Sequence, residues 1–154
     1  MSTREKKLEA LGYKLPEEMK PAGNYVPAVV INNIIYASGQ TGRVVTGELK
    51  YKGKLGANVS LEEGYEAARI AMVGCLSEMK AVLGDLEKID RVIRVTAYVA
   101  SAEGFNDQPK VINGASDLLL EVFGEQGQHA RTAIGVAELP GGAPVEVEIF
   151  CSVK

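Results

Sequence analysis

The sequence predicts an α+β fold in which two helices cover one face of a mixed β-sheet. Short segments with alternating apolar and polar residues indicate strands, and two longer segments with apolar residues at helical spacing indicate helices. Along the chain they follow one another as strands, helix, strand, helix and two strands. We expect the 154 residues to form one globular domain over residues 21–154, preceded by an N-terminal helical arm over residues 1–20.

The N-terminal arm is predicted from its capping and breaking residues. Ser2 is followed three residues later by Glu5, which is the spacing of a capping box, so a short helix is expected to begin here and to end at Gly12. Pro16 and Pro21 then predict an irregular segment, because proline interrupts regular backbone hydrogen bonding.

A β-hairpin is predicted after the arm. Two apolar runs, Val26 to Ile31 and Ile34 to Ser38, flank the pair Asn32-Asn33. Asparagine tolerates the positive φ angles that a tight hairpin turn requires. The segment Gly39 to Gly42 is expected to be a turn, and a further strand is expected near Leu49 to Lys54.

Two helices are predicted in the middle of the chain. Ser60 and Glu63 form a second capping-box pattern, and the helix that begins there is expected to run to Gly84. The second helix is expected from about Asp107 to Phe123, with Pro109 in its first turn, where proline is tolerated. The first helix has one apolar stripe, formed by Leu61, Tyr65, Ala68, Met72, Cys75, Met79 and Val82.

The remaining strands show a two-residue alternation. In the segment Arg91 to Ala100 the apolar residues, Ile93 among them, are expected to face the helices. Two more strands follow, from about His129 onward, joined by a turn around Pro140. Because both helices would lie on one side of the sheet, we expect an uncovered opposite face. That face is expected to carry Arg94, Thr96, Tyr98, Arg131, Ala133, Gly135, Glu146 and Glu148.

Composition argues against several classes of protein. The formal net charge is −3 and there is no cluster of Lys and Arg with interleaved aromatic residues, which argues against nucleic-acid binding. No apolar run approaches the ~20 residues of a membrane-spanning helix, and the charged N-terminus favours a cytoplasmic location. Cys75 and Cys151 are expected to be buried thiols, and with a single histidine the chain offers no metal-ligand set, so no metal or other cofactor is expected.

Short motifs in a fixed order carry a family resemblance. They are Asn24-Tyr25-Val26, Ile35 to Gln40, Ala130-Arg131, Leu139-Pro140 and Val145 to Glu148. The planar guanidinium of an arginine suits a carboxylate ligand, because it can donate two parallel hydrogen bonds. The order and spacing of these motifs resemble those of the RidA/YjgF family of reactive-intermediate deaminases, also described as L-PSP-like endoribonucleases, over roughly residues 21–154.

The resemblance implies both an assembly and an activity. The fold would be like that of RidA and chorismate mutase, in a homotrimer whose sheets form a central barrel with clefts between subunits. The activity would be hydrolysis of reactive enamine or imine acids of the 2-aminoacrylate type to 2-oxo acids and ammonia. Arg131 and Glu146 would be catalytic, the arginine holding the substrate carboxylate and the glutamate positioning water. The residues expected to bind substrate are Tyr25, Ser38, Gly39, Asn113, Arg131 and Ala133.

Two other functions stay open at this stage. A trimer could bind a small carboxylate in the same cleft without turnover, as a regulator, and some members of the family are described as ribonucleases or translation inhibitors. Glu148 shares a face with Glu146 and is interpreted as a structural ion-pair partner. The pair Gln128-His129 replaces the proline usual before Ala-Arg, Ala133 stands where many members have cysteine, and the N-terminal helix is additional, so the chain resembles a divergent branch. We expect His129 to be a loop residue near the mouth of the cleft.

Overall fold

The computed structural model describes residues 1–16, 21 and 23–154. Within this part of the chain, three α-helices and six strands form one α+β unit. In chain order they are α1 (Thr3–Ala10), β1 (Ala28–Ile31), β2 (Ile34–Ala37), β3 (Gln40–Thr41), α2 (Leu61–Leu83), β4 (Ile89–Ala100), α3 (Gln108–Phe123), β5 (Ala130–Val136) and β6 (Val145–Val153). No helix among the described residues combines the length and the apolar character needed to cross a bilayer.

The six strands form a single mixed sheet. Its order is β1-β2-β6-β4-β5, with β3 also paired to β6. The β4–β5 pair is parallel and the other pairs are antiparallel. Helices α2 and α3 pack against the same face, where side chains such as Val95, Val147 and Ile149 are fully buried. The predicted architecture, a mixed sheet with two helices on one face, is therefore confirmed.

Helix α1 is closely packed against the rest of the molecule. The Ser2 hydroxyl accepts a hydrogen bond from the backbone N–H of Glu5, as the sequence predicts. Leu8 is fully buried, and the Arg4 guanidinium donates to the carbonyl oxygen of Leu86 at 2.8 Å while lying 4.4 Å from the centre of the Phe123 ring. Burial of both an apolar and a charged side chain anchors the helix to the domain.

The predicted hairpin is confirmed. Asn32 and Asn33 have φ angles of 50° and 60°, as a two-residue turn with left-handed backbone requires. The strand expected near Leu49 to Lys54 is absent: Leu49 forms only an isolated bridge with Arg43. The turn expected at Gly39 to Gly42 is also wrong, because its central residues form strand β3 against β6.

Helices α2 and α3 begin as their cap patterns predict. Ser60 accepts from the backbone of Glu63 at 3.1 Å and the Glu63 carboxylate accepts from the backbone of Ser60 at 2.8 Å. Helix α2 then ends at Gly84. Helix α3 starts directly after Asp107, with Pro109 in its first turn.

A β-bulge in β4 changes which residue enters the core. The register with β6 shifts between Val92 and Arg94, so Ile93 becomes the additional residue of the bulge. Val92 is consequently buried, at 1% exposure, whereas Ile93 is 39% exposed. The prediction that Ile93 faces the helices is wrong, because simple alternation does not anticipate a bulge.

The two faces of strand β5 are the reverse of those predicted, so the side expected to be uncovered faces the helices. It pairs in parallel with β4, so that Arg131 lies beside Val95 and Ala133 beside Ala97. Register partners point to the same side of a sheet, and Val95 and Ala97 are buried beneath the helices. Arg131, Ala133 and Gly135 therefore lie on the helix face, and only the other residues of the expected set lie on the uncovered face.

Candidate functional site

The predicted site residues fall into two groups on one chain. We call the first the carboxylate half: Tyr25, Ser38, Gly39 and Glu146, where β2, β3 and β6 meet. We call the second the arginine half: Asn113, Arg131 and Ala133, where α3 lies along β5 at the edge of the sheet. Each half contains part of the expected machinery.

In the carboxylate half, a glycine allows a carboxylate to approach the backbone. A Cβ atom on Gly39 would lie 2.5 Å from Oε1 of Glu146, so a larger residue would displace that carboxylate. The Ser38 hydroxyl donates to the carbonyl oxygen of Val26 at 2.7 Å, which ties the segment next to Tyr25 to the end of β2. Glu146 thus reaches a cleft lined also by Tyr25, Pro27, Arg43 and Glu78.

Glu146 is partly buried and carries an altered acidity. Burial raises the pKa of its carboxyl above the ordinary value, and the negative charge of Glu148 raises that pKa further. Glu148 itself accepts a hydrogen bond from the Tyr98 hydroxyl at 3.3 Å. The ion pair expected for Glu148 is not formed among the described residues. A carboxylate with a raised pKa is suited to exchange protons with water.

In the arginine half, three neutral acceptors hold the guanidinium of Arg131. Nη1 donates to Oδ1 of Asn113 at 2.8 Å and to Oγ of Ser116 at 3.1 Å, and Nη2 donates to the carbonyl oxygen of Pro109 at 3.3 Å. Pro109, Asn113 and Ser116 lie on successive turns of α3, three to four residues apart, so they share one helix face.

The hydrogen bonds of Arg131 leave part of its donor capacity open. A guanidinium has five N–H donors, and the three bonds occupy both donors of Nη1 and one of Nη2. No Asp or Glu in the described part of the chain lies within 4.0 Å of Arg131 to form an ion pair. The Nε–H and the second Nη2–H can therefore donate hydrogen bonds to the carboxylate of a bound ligand.

The small residues of β5 serve packing beside the arginine. A Cβ atom on Gly135 would lie 2.7 Å from Nε2 of Gln108, at the start of α3, and Ala133 packs against the core. Their size lets α3 approach β5 closely enough for Asn113 and Ser116 to reach Arg131.

Four residues near the two halves were not predicted as part of the site. Ser116 lies three residues after Asn113 on α3, and that helical spacing is the signal that places it on the same face. His129 bonds to Ser116, with 2.9 Å between Nε2 and Oγ. Two more residues line the cleft of the carboxylate half: Glu78, which is buried in α2, and Arg43, which lies three residues after Gln40.

The two halves are apart within one chain. Arg131 lies on the helix face of β5, whereas Glu146 lies on the uncovered face of β6, and β4 runs between these strands. Strands separated by one neighbour are about 10 Å apart. The two side chains also point to opposite sides of the sheet, so one chain does not bring them together.

Both cysteines are buried, as predicted. The Cys75 thiol donates to the carbonyl oxygen of Val147 at 3.3 Å. Burial raises the pKa of Cys75, and it raises the pKa of Cys151 to about 12. Both therefore stay protonated at neutral pH and are poor nucleophiles. Among the described residues there is no group of three or more His, Cys, Asp or Glu side chains arranged to hold a metal ion.

Comparisons with known proteins find relatives that match nearly the whole chain. The chain is 46% identical over 148 residues to protein TCP17 of Trypanosoma cruzi, covering 96% of this chain and 92% of that protein. It is 31% identical over 146 residues to a 2-iminobutanoate/2-iminopropanoate deaminase of Dermatophagoides farinae, covering 90% and 93% of the two chains.

A solved structure and a family model extend these matches to nearly the whole chain. A Shewanella oneidensis MR-1 protein described as a "putative endoribonuclease" superimposes with a TM-score of 0.93 at 34% identity, covering 99% of this chain and 100% of that one. The model of the family described as "YjgF/chorismate mutase-like, putative endoribonuclease" matches residues 5–152. The chain therefore belongs to the RidA/YjgF family.

Proposed function

We propose that the protein hydrolyses reactive imine acids of the 2-aminoacrylate type to 2-oxo acids and ammonia. The observation that carries this proposal is the state of Arg131: three neutral acceptors position its guanidinium, and within residues 1–16, 21 and 23–154 no carboxylate pairs with its two open N–H donors. Such a group is prepared for the carboxylate of a small substrate. The 31% identical deaminase of Dermatophagoides farinae supports this choice of reaction.

The chemistry requires a positioned water and a proton carrier. After the enamine has tautomerised to the imine, Glu146 accepts a proton from water while the water oxygen forms a bond to the imine carbon. Glu146 returns this proton to the nitrogen, which gives a carbinolamine. It then carries the carbinolamine hydroxyl proton to the same nitrogen as the carbon–nitrogen bond breaks, so that ammonia leaves and the carbon–oxygen double bond of the 2-oxo acid forms. Glu146 ends the cycle in its initial state. Because imines hydrolyse readily, fixed geometry and one acid–base group are sufficient.

A complete site is proposed to form between two copies of the chain. One copy would contribute the arginine half and the next copy the carboxylate half, because a single chain holds them apart on opposite faces of the sheet. Repeating this contact around a three-fold axis closes a homotrimer with three equivalent clefts. The uncovered faces of the three sheets would then surround the axis as a barrel.

The direct test is ammonia release from freshly generated 2-aminoacrylate, in the presence of a metal chelator and with 2-oxobutyrate binding measured in parallel. Turnover together with binding supports the proposal. Binding without turnover would instead identify a carboxylate-binding regulatory protein, which is the alternative that the open donors of Arg131 also favour. Absence of both would contradict the assignment of Arg131 as a carboxylate anchor.

A further inference from the structure

We propose that Ser116 and His129 are positioning residues that hold the guanidinium of Arg131 in its binding orientation. The inference starts from a continuous series of hydrogen bonds behind the arginine, on the side away from its open donors. It rests on the proposed function only in that Arg131 anchors a carboxylate; the hydrogen-bond series is a feature of the chain itself.

The series has three links. Nη1 of Arg131 lies 3.1 Å from Oγ of Ser116, that oxygen lies 2.9 Å from Nε2 of His129, and Nδ1 of His129 lies 2.6 Å from the carbonyl oxygen of Gly127. Ser116 and His129 are both partly buried. The series therefore runs from the arginine half, through α3, to the segment that precedes β5.

When the imidazole of His129 is neutral, the chemistry of the end groups gives every link one direction. The Gly127 carbonyl can only accept, so Nδ1 of His129 donates to it and Nε2 of the neutral ring is an acceptor. The guanidinium of Arg131 can only donate, so Oγ of Ser116 accepts from it and directs its own hydrogen to Nε2 of His129. The Ser116 hydroxyl thus accepts from Arg131 and donates to His129, and these two hydrogen bonds do not compete.

This arrangement assigns Ser116 a role that Asn113 does not fill. Asn113 is exposed, whereas Ser116 is partly buried and its hydroxyl also bonds to His129. The Ser116 bond holds Nη1 on the α3 side, and Nε–H and the second Nη2–H are not used in the hydrogen bonds to the described residues. Loss of either residue should loosen the arginine without removing its charge.

The first measurement reports on the arginine directly and needs no ligand. In 15N-labelled protein, the side-chain N–H signals of Arg131 are identified by their loss in Arg131→Lys. Hindered rotation in the wild type should give separate Nη signals, and Ser116→Ala and His129→Asn should average them. Ser116→Thr keeps a hydroxyl, and His129→Gln, unlike the shorter asparagine, reaches Ser116 with an acceptor; both should retain the separate signals.

The second measurement reports on binding. Ser116→Ala and His129→Asn should raise the dissociation constant for 2-oxobutyrate about three- to tenfold, the effect of losing one hydrogen bond. If the protein is a deaminase, they should raise KM while kcat changes less than about twofold, because anchoring acts on substrate and transition state alike. Ser77→Ala is the matched control and should change neither constant. It removes a buried hydroxyl of α2 that donates to the Pro16 carbonyl oxygen, away from Arg131.

The outcomes separate this inference from the proposed function. If wild-type protein binds no 2-oxo acid, the proposed function is wrong, yet the Arg131 signals still decide the positioning role. Unchanged Arg131 signals in both Ser116→Ala and His129→Asn would overturn the inference. It would equally be overturned if these variants only lowered the melting temperature while the 2-oxobutyrate affinity stayed at the wild-type value.

Discussion

At the scale of single residues, the role of Arg131 depends on whether its hydrogen-bond partners are charged or neutral. A buried guanidinium paired with a carboxylate of its own chain would be structural. Here its partners are an amide, a hydroxyl and a backbone carbonyl, and no carboxylate in the described part of the chain forms an ion pair with it. That distinction makes ligand binding, and not folding, the property expected to respond to substitution.

Arg131→Ala should therefore abolish measurable binding of pyruvate or 2-oxobutyrate, a loss of about 2–5 kcal/mol. Arg131→Lys should restore little, because an ammonium group cannot donate two parallel hydrogen bonds to a carboxylate. Calorimetric titration and thermal melting of both variants provide the check, with exposed Arg91→Ala as the charge-matched control. Near-normal binding with a much lower melting temperature would show that Arg131 is structural.

The pair Glu146 and Glu148 yields a prediction about pH. Burial and the charge of Glu148 raise the pKa of Glu146, and turnover requires the ionised form of Glu146 as base. Activity should therefore fall on the acid side at a pH above the ordinary glutamate value. Glu148→Gln removes one of the two causes, so the acid limb of the kcat/KM profile should move to lower pH; an unmoved limb would contradict the electrostatic coupling.

The same pKa shift has a consequence for stability. Folding raises the pKa of Glu146, so ionisation of this carboxyl costs more in the folded state than in the unfolded state. Its contribution to the free energy of unfolding is therefore most favourable while the carboxyl is protonated. Its contribution is full below the ordinary pKa and is lost as the pH rises through the raised value. At neutral pH, Glu146→Gln should thus melt slightly higher than wild type, while the difference disappears in acid.

At the scale of elements, the sequence predicted those features that local chemistry decides. The reciprocal bonds of Ser60 and Glu63 start α2, and Asn32-Asn33 turns the hairpin, because these interactions involve residues at most three positions apart. Helix α3 was likewise predicted to within a residue. The motifs that placed Arg131 and Glu146 on the last two strands of the chain were also correct as strand assignments, although β4 lies between those strands in the sheet.

Features that depend on pairing between distant segments were not predictable in the same way. The bulge at Ile93 arises from the register of β4 with β6, and the side of β5 that carries Arg131 is set by its parallel pairing to β4. Strand alternation gives two faces but does not say which one meets the helices. For that reason the sequence placed Arg131 and Glu146 on one face when they lie on opposite faces.

The close packing of α2 against α3 gives a prediction about the stability of the fold. A Cβ atom on Gly114 of α3 would overlap the backbone carbonyl of Tyr65 on α2, a group that cannot move without shifting the helix. Gly114→Ala should destabilise the fold by about 1–3 kcal/mol. Gly74→Ala is the matched control, since its Cβ would meet only the Gln40 side chain at 3.3 Å; urea denaturation that ranks the two variants equally would contradict this packing.

At the scale of the whole molecule, the uncovered face of the sheet exposes several large apolar side chains. Side chains on this face are exposed in one chain, among them Val29 at 42%, Tyr36 at 38% and Ile134 at 45%. An apolar patch of this kind marks an interaction surface. Carboxylates and Arg94 lie on the same face, so a second copy could pair with them as well as cover the apolar groups.

We therefore expect a homotrimer in solution. Light scattering at micromolar concentration should give a mass three times that of the 16.4 kDa chain, and Ile134→Glu should reduce it, because a charge on the apolar face opposes its burial. A stable monomer in the wild type would remove the proposed clefts between subunits.

The most direct test of a site shared between chains mixes two inactive variants. Arg131→Ala keeps the carboxylate half and Glu146→Gln keeps the arginine half, so each pure variant should be inactive. After refolding an equal mixture, about a quarter of the clefts should combine an intact arginine half with an intact carboxylate half from the next copy. Imine hydrolysis should then return to about a quarter of the wild-type rate. If mass spectrometry shows mixed trimers while activity stays at the level of the parents, the two halves do not meet between chains and the account is wrong.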